Sequence, residues 1–313
     1  MVSTLRCRTI FTALLISLLG AAASVHAQST KTAPSKLPPP VEMTLDTSDG
    51  VPLAATYWAG TNKKDTVPVV LLHMYKGSRA DFKTLPLLLQ QQGHAVLAVD
   101  LRGHGKSTSV KRGAREEKVD QATLRKADFE AMLLDMEAVK KFLLAENNEG
   151  KLNIRKLCVI GAEMGATVAV KWAMLDWRWP VLTTGPQGQD VQALVLLTPD
   201  PAFKGIPLRD ALAFPPIQSG ISMMIVAGSK DNANFRDAKR IHQGLERFRP
   251  APPANEAEAK QNLYFVPLNT SLQGTKMLGE RNQELERSIL KFIDLRLVKN
   301  PTDPWSERKN PLK

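Results

Sequence analysis

A carboxylate occupies the apex of a strand-to-turn-to-helix corner. The apolar, strand-like run Leu157-Cys158-Val159-Ile160 leads into Gly161-Ala162-Glu163-Met164-Gly165, and an apolar helical stretch follows. Glycines flanking such a corner permit the sharp turn of a nucleophile elbow, Gly-x-Ser-x-Gly, which lifts one side chain clear of the sheet. Here the lifted residue is Glu163. It has no hydroxyl to deprotonate, so no serine-type acyl intermediate can form on it. Its place at a helix start also suits a plain capping role, in which the carboxylate accepts hydrogen bonds where the helix dipole favours negative charge.

The other residues that could do chemistry are few. The five histidines are His26, His73, His94, His104 and His242, and none follows the last apolar run of the chain. We read His94 as the start of a strand and His242 as lying on a helix face. Of the two cysteines, Cys7 lies in the N-terminal leader and Cys158 lies inside the strand before Glu163, where a thiol packs as a small hydrophobe.

The elements that must position these groups read as an alternating α/β chain. Val41, Met43 and Leu45 alternate with polar residues, Asp49-Gly50 supplies a turn, and Leu53, Ala55 and Tyr57 alternate again, which predicts a hairpin. Six unbroken apolar runs follow: Val67 to Leu72, Ala95 to Val99, Leu157 to Ile160, Ala193 to Leu197, Met223 to Ala227 and Leu263 to Val266. Such runs mark parallel strands covered on both faces. Between the second and third, Phe129, Met132, Leu133, Met136, Val139 and Leu143 recur at helical spacing with charges expected on the opposite face. Further helices are expected from Phe235 to Phe248 and from Glu280 to Val298. The result is one domain over 41–298 with a mostly parallel eight-stranded sheet and helices on both faces. In such sheets the ligand site lies beyond the carboxyl ends of the strands.

Over that span the chain resembles the α/β-hydrolase family of esterase and lipase type. The resemblance rests on Leu71-Leu72-His73-Met74-Tyr75, on Asp100-Leu101-Arg102-Gly103-His104-Gly105-Lys106-Ser107, on the Glu163 corner, on Gly228-Ser229-Lys230-Asp231 and on Gln273-Gly274-Thr275, each at a strand end and in order. It implies little or no cap domain, since only a short interval separates the sixth and seventh strands. It implies that Asp231 holds the position of the triad acid, Glu163 that of the serine and Gln273 that of the histidine, with backbone N–H groups of Met74 and Met164 at an oxyanion-hole-like position. His73 and His104 then shape loops. An amide has no useful pKa and cannot serve as general base. A triad of this composition is degenerate and expected to be inactive. Relatives with an elbow aspartate use it as a nucleophile, but glutamate is one methylene longer, a misplacement of roughly 1 Å that costs rate steeply. A weaker alternative has the oxygens of Glu163, Asp231 and Gln273 converging on a cation or small cationic ligand.

Outside that span, residues 1–27 have a cationic start (Arg6, Arg8), an apolar run from Ile10 to Ala23, and Val25 and Ala27 framing a cleavage site before Gln28. That is the layout of a secretory signal peptide, with an apolar run too short for a permanent membrane span. Residues 28–40 form a Pro/Ser/Thr/Lys-rich tether, and residues 299–313 read as an exposed polar tail. The net charge is +11, or +9 without Arg6 and Arg8, and the basic residues are scattered apart from Lys106, Lys111, Arg112 and Arg115. With no aromatic interleaving, that cluster suits a solvated loop rather than a nucleic-acid surface.

The sequence therefore leads us to expect an exported α/β-hydrolase-fold pseudoenzyme, with no cofactor and no metal, acting as a binding or scaffold protein for a small ligand or a protein. The alternative is a hydrolase of ester-type substrates working with a non-standard Glu163 and Asp231 site.

Overall fold

Alternation within the buried strands builds both faces of the sheet. In the computed structural model, which describes residues 37–183, 185–279, 283–299 and 304–308, the sheet strands are β1 (Val41–Asp46), β2 (Pro52–Trp58), β3 (Pro68–Leu72), β4 (Ala95–Val99), β5 (Leu157–Ala162), β6 (Val191–Leu197), β7 (Ser222–Gly228) and β8 (Leu263–Leu268). Their order is β1-β2-β4-β3-β5-β6-β7-β8. The first two pair antiparallel in the register Val41↔Tyr57 to Asp46↔Pro52, β2 runs antiparallel to β4, and every later pairing is parallel.

Val70, Leu72, Leu97, Val99, Val159, Leu194 and Ile225 face one layer of core, while Val69, Leu71, Val96, Ala98, Cys158, Val195 and Val226 face the other. Continuous apolar runs are thus two interleaved half-patterns of period two. The first layer is closed by α2 (Met132–Asn148), α3 (Met164–Arg178) and α4 (Asn232–Glu246), the second by α1 (Leu85–Gln91) and α5 (Gln283–Ile293). Cys158 is buried, and burial raises its thiol pKa, so it packs as a hydrophobe.

The helix expected around Phe129 to Leu143 is broken at Ala131: a short turn, Lys126–Glu130, precedes α2. Its charges are not all on the solvent face. Asp135 is buried against Arg102, which also pairs with Asp49 beside the first hairpin turn, and Lys140 is buried between Asp176 and Asp190. The helix expected from Glu280 is α5, continued by a wider turn over Asp294–Val298; residues 280–282 lie outside the described residues.

The C-terminal segment corrects the reading of an exposed tail. Arg308 is buried and pairs with Asp190, Asn148 bonds both the N–H and the carbonyl of Arg308, and Trp305 donates to the Asn147 carbonyl at 3.1 Å while Lys64 lies over its ring. A buried Asp190 between two cations is what draws the strand of chain in, because a desolvated carboxylate requires charged partners. The leader, the cleavage site and the tether as far as residue 36 lie outside the described residues. Pro38 is held through its carbonyl by Gln90. No helix among the described residues is long and apolar enough to cross a membrane.

Candidate functional site

The corner at Glu163 keeps the geometry of a nucleophile elbow with glutamate in place of serine. Glu163 sits at φ 45° and ψ −105°, between the end of β5 and the first residue of α3. Its N–H donates to the Leu197 carbonyl at 2.9 Å and its carbonyl accepts from Thr167 at 3.1 Å, so neighbours on both sides hold this left-handed backbone. Both glycines are required. A Cβ on Gly161 would lie 2.3 Å from the Gly165 carbonyl oxygen, and one on Gly165 would lie 2.2 Å from that of Leu72.

The side chain does not cap its helix, which corrects the capping expectation: it accepts no hydrogen bond from the α3 N–H groups. At positive φ it is carried instead towards the loop after β8. A Cβ added to Gly274 would stand 3.5 Å from Glu163 Oε1 and 3.1 Å from Met74 Sδ. Glu163 is half-buried, and burial raises its carboxyl pKa, opposed by Lys276 and reinforced by Asp200.

Gln273 is turned into the sheet ends. Thr198 donates its hydroxyl to Gln273 Oε1 at 2.7 Å and accepts from the Gly274 N–H at 3.0 Å, while Gln273 Nε2 donates to the Gly228 carbonyl at 3.3 Å. Asp231 caps α4, accepting from the Asn234 N–H at 3.2 Å and the Asn234 side chain at 2.9 Å. These bonds hold its carboxyl below the ordinary value; the Gln273 amide adds a smaller effect in the same direction. The positions assigned to acid and base are therefore neighbours, yet neither side chain bonds Glu163. A converging oxygen cage is not formed, because two of the three groups are committed to strand-end and helix-end bonds. Among the described residues no cluster of His, Cys, Asp or Glu could hold a metal ion.

The backbone N–H groups of Met74 and Met164 donate to no described residue, at the start of the loop after β3 and at the first position of α3. The loop carrying Met74 is fixed by His73, whose ring bonds the Met74 carbonyl at 2.8 Å and accepts from the Leu101 N–H at 3.0 Å. Burial brings the His73 pKa down to about 4. His104 contacts the Arg102 carbonyl at 3.0 Å, with its ring 5.1 Å from that of His73. Both act as neutral struts between loops. The rest of that stretch is also structural: Asp100 binds the Arg79 side chain and the N–H groups of Arg79 and Lys106.

Sequence reasoning missed several residues around Glu163. Thr198 is a buried β-branched residue at φ 56°, a conformation that such residues rarely adopt. Five of the seven described non-glycine residues at positive φ are Lys76, Lys83, Glu163, Thr198 and Lys204, all on the loops at this end of the sheet or at the elbow itself. Backbone strain of roughly 1–3 kcal/mol per residue persists only where the surroundings enforce it, and it gathers at working sites. No sequence signal marks Thr198, since any residue type can follow a strand. Over the site lies the short segment between β6 and β7, where the hairpin Ala202–Phe203 and Ile206–Pro207 brings Phe203 against Tyr75 and Phe129. This is a small cover, in line with the short interval in the sequence.

Comparison with known proteins agrees with this architecture. A model of the serine aminopeptidase S33 family of hydrolases matches residues 64–216. A curated relative, the sn-1-specific diacylglycerol lipase ABHD11 of Danio rerio, is 30% identical over 136 residues; the match spans 43% of this chain and 32% of that relative's length. Among solved structures, a Pyrococcus furiosus esterase aligns with TM-score 0.58 at 17% identity, covering 83% of this chain and 92% of that one. A dienelactone hydrolase from Anabaena variabilis aligns at 0.57 and 15%, covering 84% and 100%.

Proposed function

We propose that this chain, built on the α/β-hydrolase fold, is an exported pseudoenzyme, a ligand-binding protein that uses the crevice at the carboxyl ends of the strands without serine-type catalysis. The observation that carries this reading is the pairing of Glu163 at the elbow apex with Gln273 bound to Thr198 and Gly228. Nucleophilic attack by a serine needs a hydroxyl and a base within hydrogen-bond reach. Position 163 offers a carboxylate, position 273 offers an amide turned away from it, and His73 and His104 are buried with their rings engaged with one another and with backbone. Export rests on the layout of residues 1–27.

The second reading, ester hydrolysis with Glu163 as nucleophile, is favoured by the desolvation of Glu163 and by the uncommitted N–H groups of Met74 and Met164. Hydrolysis of a short activated ester by wild type and by Glu163→Gln separates the two. We expect both proteins at the same background rate; turnover abolished by Glu163→Gln would establish the second reading. Export is tested by mass spectrometry of the protein from its native host, where we expect a mature N-terminus at or near Gln28, and an intact Met1 on the chain would rule it out.

A further inference from the structure

Beside Glu163, the loops after β3 and β8 enclose an open cleft of about 510 Å³. Its walls include Met74, Tyr75, Lys76, Asp81, Lys83 and Lys276. Lys204 joins this rim from the segment after β6: its ammonium lies 4.8 Å from the centre of the Tyr75 ring, and that of Lys76 lies 5.7 Å from the same ring. All four lysines are exposed, and none forms an ion pair with a described residue. Lys83 is held by the Leu278 carbonyl at 2.7 Å. The acids close by are engaged with backbone N–H groups, Asp81 with Ser78 and Asp200 with Ala202. Three of the four lysines stand at positive φ, so the backbone at these positions is held by the loops that carry them.

We propose that this cleft binds a phosphate-bearing ligand, its phosphate on Lys76, Lys83, Lys204 and Lys276 and its organic part against the Tyr75 ring. The proposal rests on the binding role given above for this end of the sheet. Four cations without an ion-pair partner among the described residues outnumber the acids beside them, Asp81 and Glu163, and call for an anion. All are lysines and none is an arginine. A planar carboxylate is best gripped by the forked guanidinium, whereas compact ammonium groups bind phosphate as point charges. The volume falls within the range of small-molecule sites, so room remains for an organic group beside the phosphate. Glu163 is the opposing element. It lies across Gly274 from Met74, next to Lys276, and its negative charge works against the ligand.

Isothermal titration of the purified protein with phenyl phosphate tests the assignment, with vesicles of phosphatidylcholine, with and without phosphatidic acid, as a second arm. We expect saturable binding that weakens as salt is raised and falls by about tenfold in Lys76→Ala/Lys276→Ala. Lys111→Ala/Arg112→Ala, at exposed positions of the hairpin Ser109–Arg112 with Arg115–Lys118 and outside the cleft lining, should bind as wild type does. Glu163→Gln should bind severalfold more tightly. Thermal melts verify that each variant is folded. Cleft-dependent binding of phenyl phosphate identifies a soluble organic phosphate; cleft-dependent binding of the acidic vesicles alone identifies a lipid headgroup. Binding of neither probe, or binding that survives the cleft variant, overturns the proposal. Ester turnover would defeat the binding-protein reading while leaving this titration interpretable, so the two can fail separately.

Discussion

The hydroxyl of Thr198 donates to Gln273 Oε1 at 2.7 Å and receives the Gly274 N–H at 3.0 Å, which ties the loop after β8 to the end of β6 and keeps position 273 from swinging towards Glu163. Thr198→Val keeps the shape and β-branching but removes both bonds, leaving a buried amide oxygen and a buried N–H with poorer partners. Such losses cost about 1–3 kcal/mol each, which in a domain of this size lowers Tm by several degrees, roughly 2–4 °C per kcal/mol. We expect a drop of at least that size by calorimetry. A Tm unchanged from wild type would mean that this link does not hold the loop.

The elbow glycines are set by close approach. With the Leu72 carbonyl 2.2 Å from a Cβ on residue 165, Gly165→Ala forces α3 away from β3. Overpacking of this kind costs about 1–3 kcal/mol or more, so we expect a strongly reduced melting temperature or loss of soluble protein. A normally folded Gly165→Ala protein would show that the corner is looser than its geometry indicates.

His94 gives the fold a defined response to acid. It is 3% exposed, its Nδ1 has no hydrogen-bond partner, and burial brings its pKa from 6.5 down to about 4. The folded state thus binds this proton less readily than the unfolded chain. Its contribution to stability is complete above about pH 6.5 and is lost as pH falls towards 4, by roughly 3 kcal/mol. Buried Asp135 and Asp190 have raised pKa values, chiefly from burial, and act in the opposite sense over part of this interval. The comparison of wild type with His94→Phe isolates the histidine. Urea unfolding at pH 7 and at pH 4.5 should show the variant gaining about 2–3 kcal/mol relative to wild type on acidification. An equal response in both proteins would remove His94 as a cause.

The sheet was legible because its strands are buried on both faces, and unbroken apolar runs such as Val67 to Leu72 admit few other readings. The elbow was legible because two glycines bracket Glu163 after a strand. What could not be read were bonds between residues far apart in the chain. Arg308 looks like part of a solvated tail until Asp190, 118 residues away, is placed beside it. Glu163 looks like a helix cap until its positive φ turns it to Gly274. The lysine rim is composed of ordinary surface residues, and only the meeting of the loops after β3, β6 and β8 brings them together.

The buried pairing of Arg308 has a consequence for stability. Arg308→Met leaves Asp190 with Lys140 as its ion-pair partner and Arg155 within electrostatic reach, in a site with no exposure of the carboxylate. Breaking a buried ion pair from one side costs about 3–5 kcal/mol, and the remaining Lys140 pulls the expected loss to the lower end of that range. Denaturant unfolding should show this loss with an unchanged slope. A loss within about 0.5 kcal/mol, as at ordinary surface sites, would mean that the C-terminal segment is not bound in solution.

Placing serine and histidine at the proposed triad positions tests their assignment. The double change Glu163→Ser with Gln273→His places a hydroxyl and an imidazole at positions already bordered by Asp231 and by the Met74 and Met164 N–H groups. We expect measurable but weak hydrolysis of a short activated ester from the double variant and near-background rates from each single one, since triad members act as a unit. A folded double variant as inactive as wild type would remove Gln273 from the histidine position.

The proposal that the site does no serine-type chemistry is tested most directly by intact-mass spectrometry of the purified protein after exposure to excess fluorophosphonate, with Glu163→Ser/Gln273→His treated alongside. Wild type should show no adduct, while the double variant should gain the mass of one phosphonyl group, mapped to the peptide that contains position 163. A stoichiometric adduct on wild type, at any serine bordering the crevice such as Ser78 or Ser271, would contradict the account.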